Sequence, residues 1–240
     1  FESMFAVGVD EMSWDDLNEA HYDWPTVAEV SEYRQQVWQK VEEVISKLPL
    51  TIPITWKEPF WVIMMGIEHQ RIHLETSSVL IRQLPLAELR QTDFWKYCTE
   101  SGTAPEKELL PVPGGEVNLG KEKSHPLYGW DNEFGSYCEE VTDFQAGKYL
   151  VSNQEFRDFV EAGGYRKSEF WTEEGWEWRN YRQAEYPLFW LKQADDSFLL
   201  RLMLTTIPLP WDWPVEVNYL EAKAFCNWKA SQTGIPVRLP

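Results

Sequence analysis

Helical periodicity dominates the first hundred residues of this chain and then fades, and that change constrains the fold more than any other feature. Apolar residues recur at Val27, Val30, Tyr33, Val37, Trp38, Val41, Ile45 and Leu48, the spacing of one helical face. Thr26 followed by Glu29 is a capping box that opens this helix, and Pro49 and Pro53 close it. A second helix is predicted from Pro59, a residue suited to a first turn, through Trp61, Ile63, Met64, Ile67, Ile72, Val79 and Leu80, ending before Pro85. With a further helical piece at Phe1 to Val7, these imply a helical bundle.

The turn-rich stretch Thr99 to Pro105, followed by Pro111 and Pro113, marks a boundary. We divide the chain into a helical domain over 1–98, a linker over 99–111 and a second domain over 112–240. In the second domain Val112 to Leu119 reads as a short strand interrupted by Gly114 and Gly115. Val141 to Phe144 and Ala146 to Leu150 read as further strands. Asn153 to Ala162 reads as a helix capped by Ser152 and ended by Gly163-Gly164, and Tyr219 to Lys229 as another, ended by Gly234. Residues 165–214 are aromatic and irregular. The fold class is α+β.

Composition excludes some functions. The net charge of −17 repels phosphate backbones, which argues against nucleic-acid binding. No apolar run reaches the length of a membrane helix. Three cysteines, Cys98, Cys138 and Cys226, cannot complete a disulfide framework and read as free, mostly buried thiols of a cytoplasmic protein. Fourteen tryptophans are many for 240 residues; they crowd into 171–228 and are expected to fill core and loop space, with a few walling a ligand pocket. Phe1 opens the sequence without an initiator Met or a leader, and the chain is read as a piece of a longer protein.

The chemistry-bearing signal is Glu68-His69-Gln70-Arg71-Ile72-His73. Two histidines four apart lie on one helical face, one turn above the other, so their ring nitrogens can converge on one metal ion. Imidazole suits iron, zinc, copper and nickel alike. The competing reading is two ordinary helix histidines. The pattern is not that of a zinc protease, because position 70 is Gln where a general-base Glu would stand. It is not that of a di-iron bundle, because positions 66 and 70 are Gly and Gln where Glu would precede each histidine by three. A mononuclear site remains, and it requires at least one more ligand. Within the chain His21, Asp10 and Glu11 are candidates, with His21 better read as a loop residue, and His125 as a structural or exposed one.

These residues resemble a known family. His69 and His73, followed by Leu74-Glu75-Thr76, resemble the DinB-like bundle of the non-haem iron sulfoxide synthases of ergothioneine and ovothiol biosynthesis. The second domain resembles their formylglycine-generating-enzyme-like, C-type-lectin-related domain. The matching pieces are Val112 to Gly120, Gly129 to Glu133, Val151 to Phe156, Ala162 to Tyr165, Glu174 to Trp176, Pro214 to Asn218 and Val237 to Pro240. The stretches Glu68 to Pro85 and Pro210 to Pro214 look closest to the ovothiol branch, whose product is 5-histidylcysteine sulfoxide.

The resemblance implies an Fe(II) cofactor held by three histidines. Two match His69 and His73, and the third is expected upstream of Phe1. It implies a catalytic tyrosine beyond Pro240, and cysteine, histidine and dioxygen as the small-molecule partners; a site built within one chain is compatible with a monomer. Arg71 and Ile72, beside the ligands, and Trp211, Asp212 and Trp213 are candidate substrate contacts, against a plain packing role for each. Ile72 stands where ergothioneine-type relatives have glutamine. Asp10, Glu11, Asp15 and Asp16 are candidates for a carboxylate that receives a ligand histidine's second N–H. Three other readings stay open: an ergothioneine-type synthase acting on trimethylhistidine, a DinB-like metal-dependent thiol transferase, and a non-catalytic lectin-like binding module. Oxygen consumption separates the first from the second, and absence of bound metal would favour the third.

Overall fold

The computed structural model describes residues 24–240. The helical piece expected at Phe1 to Val7 lies outside the described residues. Chain contacts divide the molecule into two units. One runs to Glu68 and includes Glu122–Phe134; the other holds His69–Lys121 and Gly135–Pro240.

Helix α1 spans Val27–Lys47. Its start is the predicted capping box: Thr26 Oγ1 accepts from Glu29 N (3.3 Å), and Glu29 Oε2 accepts from Thr26 N (2.7 Å). None of its residues is buried: along its apolar stripe Val37, Trp38 and Ile45 are exposed, and Val30 and Val41 are half-buried. Helix α2 spans Phe60–Arg82, and its one buried residue is Trp61. Trp61 stacks on Trp56 (centroids 4.5 Å apart) and meets Tyr128 at 4.8 Å, while Phe134 packs edge-on against Trp56. No described helix is long and apolar enough to cross a membrane.

Beyond the helices the chain turns to short strands. β1 (Leu109–Val112) pairs with β4 (Phe144–Gly147), and β2 (Gly115–Leu119) with β3 (Tyr137–Val141), both antiparallel. The expected interruption at Gly114-Gly115 is a corner between two ribbons. A Cβ at Gly114 would come within 2.4 Å of Val141 O, and Gly114 N donates to Asp143 Oδ1 at 2.7 Å. The two strands expected at Val141 to Phe144 and Ala146 to Leu150 are displaced. The real break is at Thr142-Asp143, because the corner opposite Gly114 interrupts the pairing there.

α3 (Asn153–Glu161) is capped by Ser152, and α5 (Tyr219–Thr233) by Asn218, with Gly234 at its C-terminus in the left-handed region (φ 69°). Residues 165–214 are more regular than their composition implied. They contain helix α4 (Glu173–Arg182), capped by Thr172, and an antiparallel sheet of β5 (Trp190–Lys192), β6 (Phe198–Arg201) and β7 (Thr206–Pro208).

The core of this unit is aromatic. Phe156 and Phe159 of α3 meet Phe225 and Trp228 of α5, with Tyr165, Phe170, Trp171 and Trp190 closing around them. Burying rings of this size brings both area and specific edge and stacking geometry. Gly164 is required by that packing, since a Cβ there would lie 2.2 Å from the Phe159 ring. The tryptophans of 171–228 are core and loop fillers as expected: Trp171, Trp190 and Trp228 are buried, and Trp176, Trp178, Trp211 and Trp213 pack against the core. The cysteines differ from expectation. Only Cys226, inside α5, is buried. Cys98 is exposed in a segment outside any helix or strand and Cys138 on the β2–β3 ribbon, where a two-stranded sheet has too little cover to enclose a side chain.

Candidate functional site

His69 and His73 lie one turn apart on α2, their rings edge to face with centroids 4.5 Å apart. Both side chains are exposed. Two imidazoles on one open helical face are a donor pair suited to a divalent first-row metal. The pair therefore fits a metal site as two of its ligands. Among the described residues, no group of three or more His, Cys, Asp or Glu comes together as a metal site. Asp10, Glu11, Asp15, Asp16 and His21 lie outside the described residues. His125 is engaged in a turn of its own, where its Nδ1 accepts from Leu127 N at 3.2 Å.

Ile72 and Arg71 follow the first histidine on α2, both exposed. Thr76, one turn past Ile72, folds its hydroxyl back onto Ile72 O at 3.1 Å. The segment 211–213 is held from several sides. Trp211 lies edge-on to Trp190 (6.2 Å), and the Arg157 guanidinium sits 4.9 Å over a Trp211 ring. Asp212 accepts from Ser101 Oγ (3.1 Å) through one oxygen and from Gly102 N (2.8 Å) through the other. Trp213 Nε1 donates to Glu100 O at 2.8 Å. The backbone of the same turn accepts from Asn153 N and Gln154 N at the start of α3.

One buried polar pair escaped sequence reading. Tyr165 donates its hydroxyl to Glu221 Oε1 at 2.6 Å, and Glu221 Oε2 caps α5 by accepting from Asn218 N. Burial, and secondarily the neighbouring carboxylate, hold the Tyr165 hydroxyl well above its usual range. Burial also raises Glu221, against the lowering effect of its two hydrogen bonds. The capping box Asn218 to Glu221 was the available signal for one half of it. Tyr165 stood in the sequence only as the end of a family-matching piece, and nothing there indicated its bond to Glu221.

An aromatic-cored α+β domain, preceded by a helix bearing a histidine pair, defines the class. Residues 96–240 match the sulfatase-modifying factor enzyme 1-like domain, and the chain belongs to that family. Among curated relatives, it is similar to hercynine oxygenase of Mycolicibacterium smegmatis, 27% identical over 179 residues, covering 73% of this chain and 40% of the relative. A match of that length in 240 residues necessarily runs across His69 and His73. It is also similar to hercynine oxygenase of Mycobacterium tuberculosis (32% identical, 48% of this chain, 26% of the relative). A third relative is ergothioneine biosynthesis protein 1 of Neurospora crassa (26% identical, 67% of this chain, 20% of the relative). The chain thus spans less than half the length of each of these relatives.

Proposed function

We propose that this chain is part of an Fe(II)- and dioxygen-dependent sulfoxide synthase, an oxidoreductase that joins a cysteine thiol to the imidazole of a histidine-class acceptor. The observation that carries the reading is the His69–His73 face on the helix that leads into a sulfatase-modifying factor enzyme 1-like domain. The name of the relative whose match runs across that helix supports it.

In this reading 1–98 belongs to a DinB-like bundle, 99–111 is a linker and 112–240 is the partner domain. His69 and His73 would hold Fe(II), with a third ligand from outside the described residues. When bound, the metal supplies Lewis acidity and redox chemistry toward dioxygen and thiol. The chain's own part is positioning. Gln70, where a metalloprotease would carry its general base, leaves the helix face without a carboxylate between the two imidazoles. Arg71 and Ile72 flank the first ligand and would shape the acceptor's side of the pocket.

Two acceptors compete, each on one observation. Hercynine, trimethylated histidine, is favoured by the names of the relatives. Free histidine, giving 5-histidylcysteine sulfoxide, is favoured by apolar Ile72 and by the wording of Glu68 to Pro85. The test uses the full-length protein loaded anaerobically with Fe(II), then given cysteine, either acceptor and dioxygen, with products read by mass spectrometry. We expect a cysteine–imidazole sulfoxide adduct, and the acceptor that yields it decides the branch. His73→Ala is expected to weaken Fe(II) binding beyond the roughly 10–100-fold typical of a residue that only supports a ligand. Bound metal with neither adduct nor oxygen uptake would replace this reading with a metal-dependent thiol transferase. No bound metal at all would leave a binding module.

A further inference from the structure

Helix α2 ends in a charged lock. Arg82, its last residue, donates Nε to Arg201 O (2.6 Å) and Nη1 to both oxygens of Glu216 (2.6 Å each), and its guanidinium carbon lies 3.7 Å over the Phe189 ring. Arg201, at the end of β6, returns the contact. Its Nη2 donates to Leu84 O (2.9 Å), and its Nη1 to the carbonyls of Leu202 and Met203. The Arg82 side chain is 12% exposed and Arg201 is 8% exposed. Among the described residues, Arg82 Nη2 is buried with no acceptor.

As a source of stability this arrangement is poor. Of the two guanidinium groups only Arg82 meets a carboxylate, and that carboxylate, Glu216, is itself 59% exposed, so solvent screens the pair. Burial and the neighbouring Arg82 charge both lower the Arg201 pKa. An apolar contact of similar volume would hold the helix end as well or better. A guanidinium fork excels at fixing geometry, because its donors lie in one plane at set angles. Here the two forks address carbonyls at Leu84, Arg201, Leu202 and Met203. A leucine contact would let the helix slide or roll; this set of bonds does not.

We infer that Arg82 and Arg201 are positioning residues that fix the roll and axial register of the His69–His73 face of α2 against the β5–β6–β7 side of its unit. The inference rests on the metal-holding role proposed for that face. His73 and His69 lie nine and thirteen residues before Arg82. At 1.5 Å per residue that is about 14 and 20 Å of rigid helix, so an angular error at the lock becomes a displacement at the histidines. Displacements of about 1 Å suffice to lower a reaction rate severely.

The test uses the full-length protein with its exposed cysteines replaced by serine and spin labels at Glu75→Cys and Tyr181→Cys, one on α2 and one on α4. Electron–electron resonance gives the distance distribution between them without metal. Arg82→Met and Arg201→Met are expected to broaden that distribution. In unlabelled protein they are expected to lower kcat/KM about tenfold or more. Arg82→Lys keeps the charge but loses the planar fork, so it should follow Arg82→Met, and it serves if the methionine variant does not fold. A distribution as narrow as wild type in these variants overturns the inference. So does a broadened one with unchanged kcat/KM, or a rate loss that merely tracks thermal stability. If the parent protein binds no Fe(II) or forms no adduct, the proposed function fails, while the distance measurement still judges the lock.

Discussion

At the scale of single residues, the Tyr165–Glu221 pair is the strongest polar commitment of the core. Tyr165 is 2% exposed, and its hydroxyl has one acceptor at 2.6 Å. Replacing it with Phe strips Glu221 Oε1 of its donor inside the protein, and such an orphaned buried group costs about 1–3 kcal/mol. The pH dependence follows from the direction of the shift. The folded Tyr165 holds its proton more tightly than an unfolded tyrosine, whose pKa is about 10. Between those two values the folded state binds the extra proton, so stability is full below about pH 10 and falls as pH rises toward the folded pKa. Tyr165→Phe is therefore expected to lower the melting temperature at neutral pH and to flatten its decline above about pH 10, as read by thermal melts across alkaline pH. A variant melting as high as the parent at neutral pH would show that the bond contributes nothing.

At the scale of elements, four helices and the ribbon strands around Gly114 were legible, and α4 with β5, β6 and β7 was not, for a physical reason. A helix announces itself by caps and by a period that repeats over many residues. Thr26 with Glu29, Ser152 before Asn153, and Gly234 after α5 each fall at the end their chemistry serves. β5, β6 and β7 have three or four residues each, too few to show a period of two, and their aromatic neighbours read as loop packing. Helix α4 hid for a related reason, since Trp176 and Trp178 within it gave no apolar stripe. The cap of α1 also makes a prediction. Its hydrogen bonds from the Thr26 hydroxyl and backbone hold the Glu29 carboxyl below the ordinary range. That contribution is complete above the unfolded value of about 4.3 and is lost as pH falls through the lower folded value. Thr26→Ala should speed amide exchange in the first turn of α1 at neutral pH, and the parent should approach the same rate, corrected for intrinsic exchange, as acid protonates Glu29. Equal protection in parent and variant would mean that the cap is not what holds the turn.

At the scale of the molecule, what sequence could not supply was long-range partnership. The His69–His73 pair was legible because its members are four residues apart on one helix. Arg82 reaches partners 119 and 134 residues away, and Asp212 reaches back 110 and 111 residues to Gly102 and Ser101, distances at which no local pattern exists. Asp212 and Trp213 were singled out as substrate contacts or loop packers. Their polar atoms are engaged by the segment at 100–102, which they tie to the aromatic core. Asp212→Ala should release that tie, raising hydrogen exchange at residues 99–105 while leaving α5 protected, as measured by exchange mass spectrometry. Unchanged exchange at Gly102 would sink the assignment.

That tie is chemically one-sided. Asp212 and Trp213 contribute side chains, whereas the segment at 100–102 contributes mostly main chain: the amide of Gly102 and the carbonyl of Glu100, with a hydroxyl from Ser101 as the exception. Substitution cannot remove a main-chain group unless it introduces proline. Over evolutionary time the lettering of 100–102 can therefore wander while its path stays put, and relatives that share no residues there would still be recognisable by an aspartate and a tryptophan more than a hundred residues downstream.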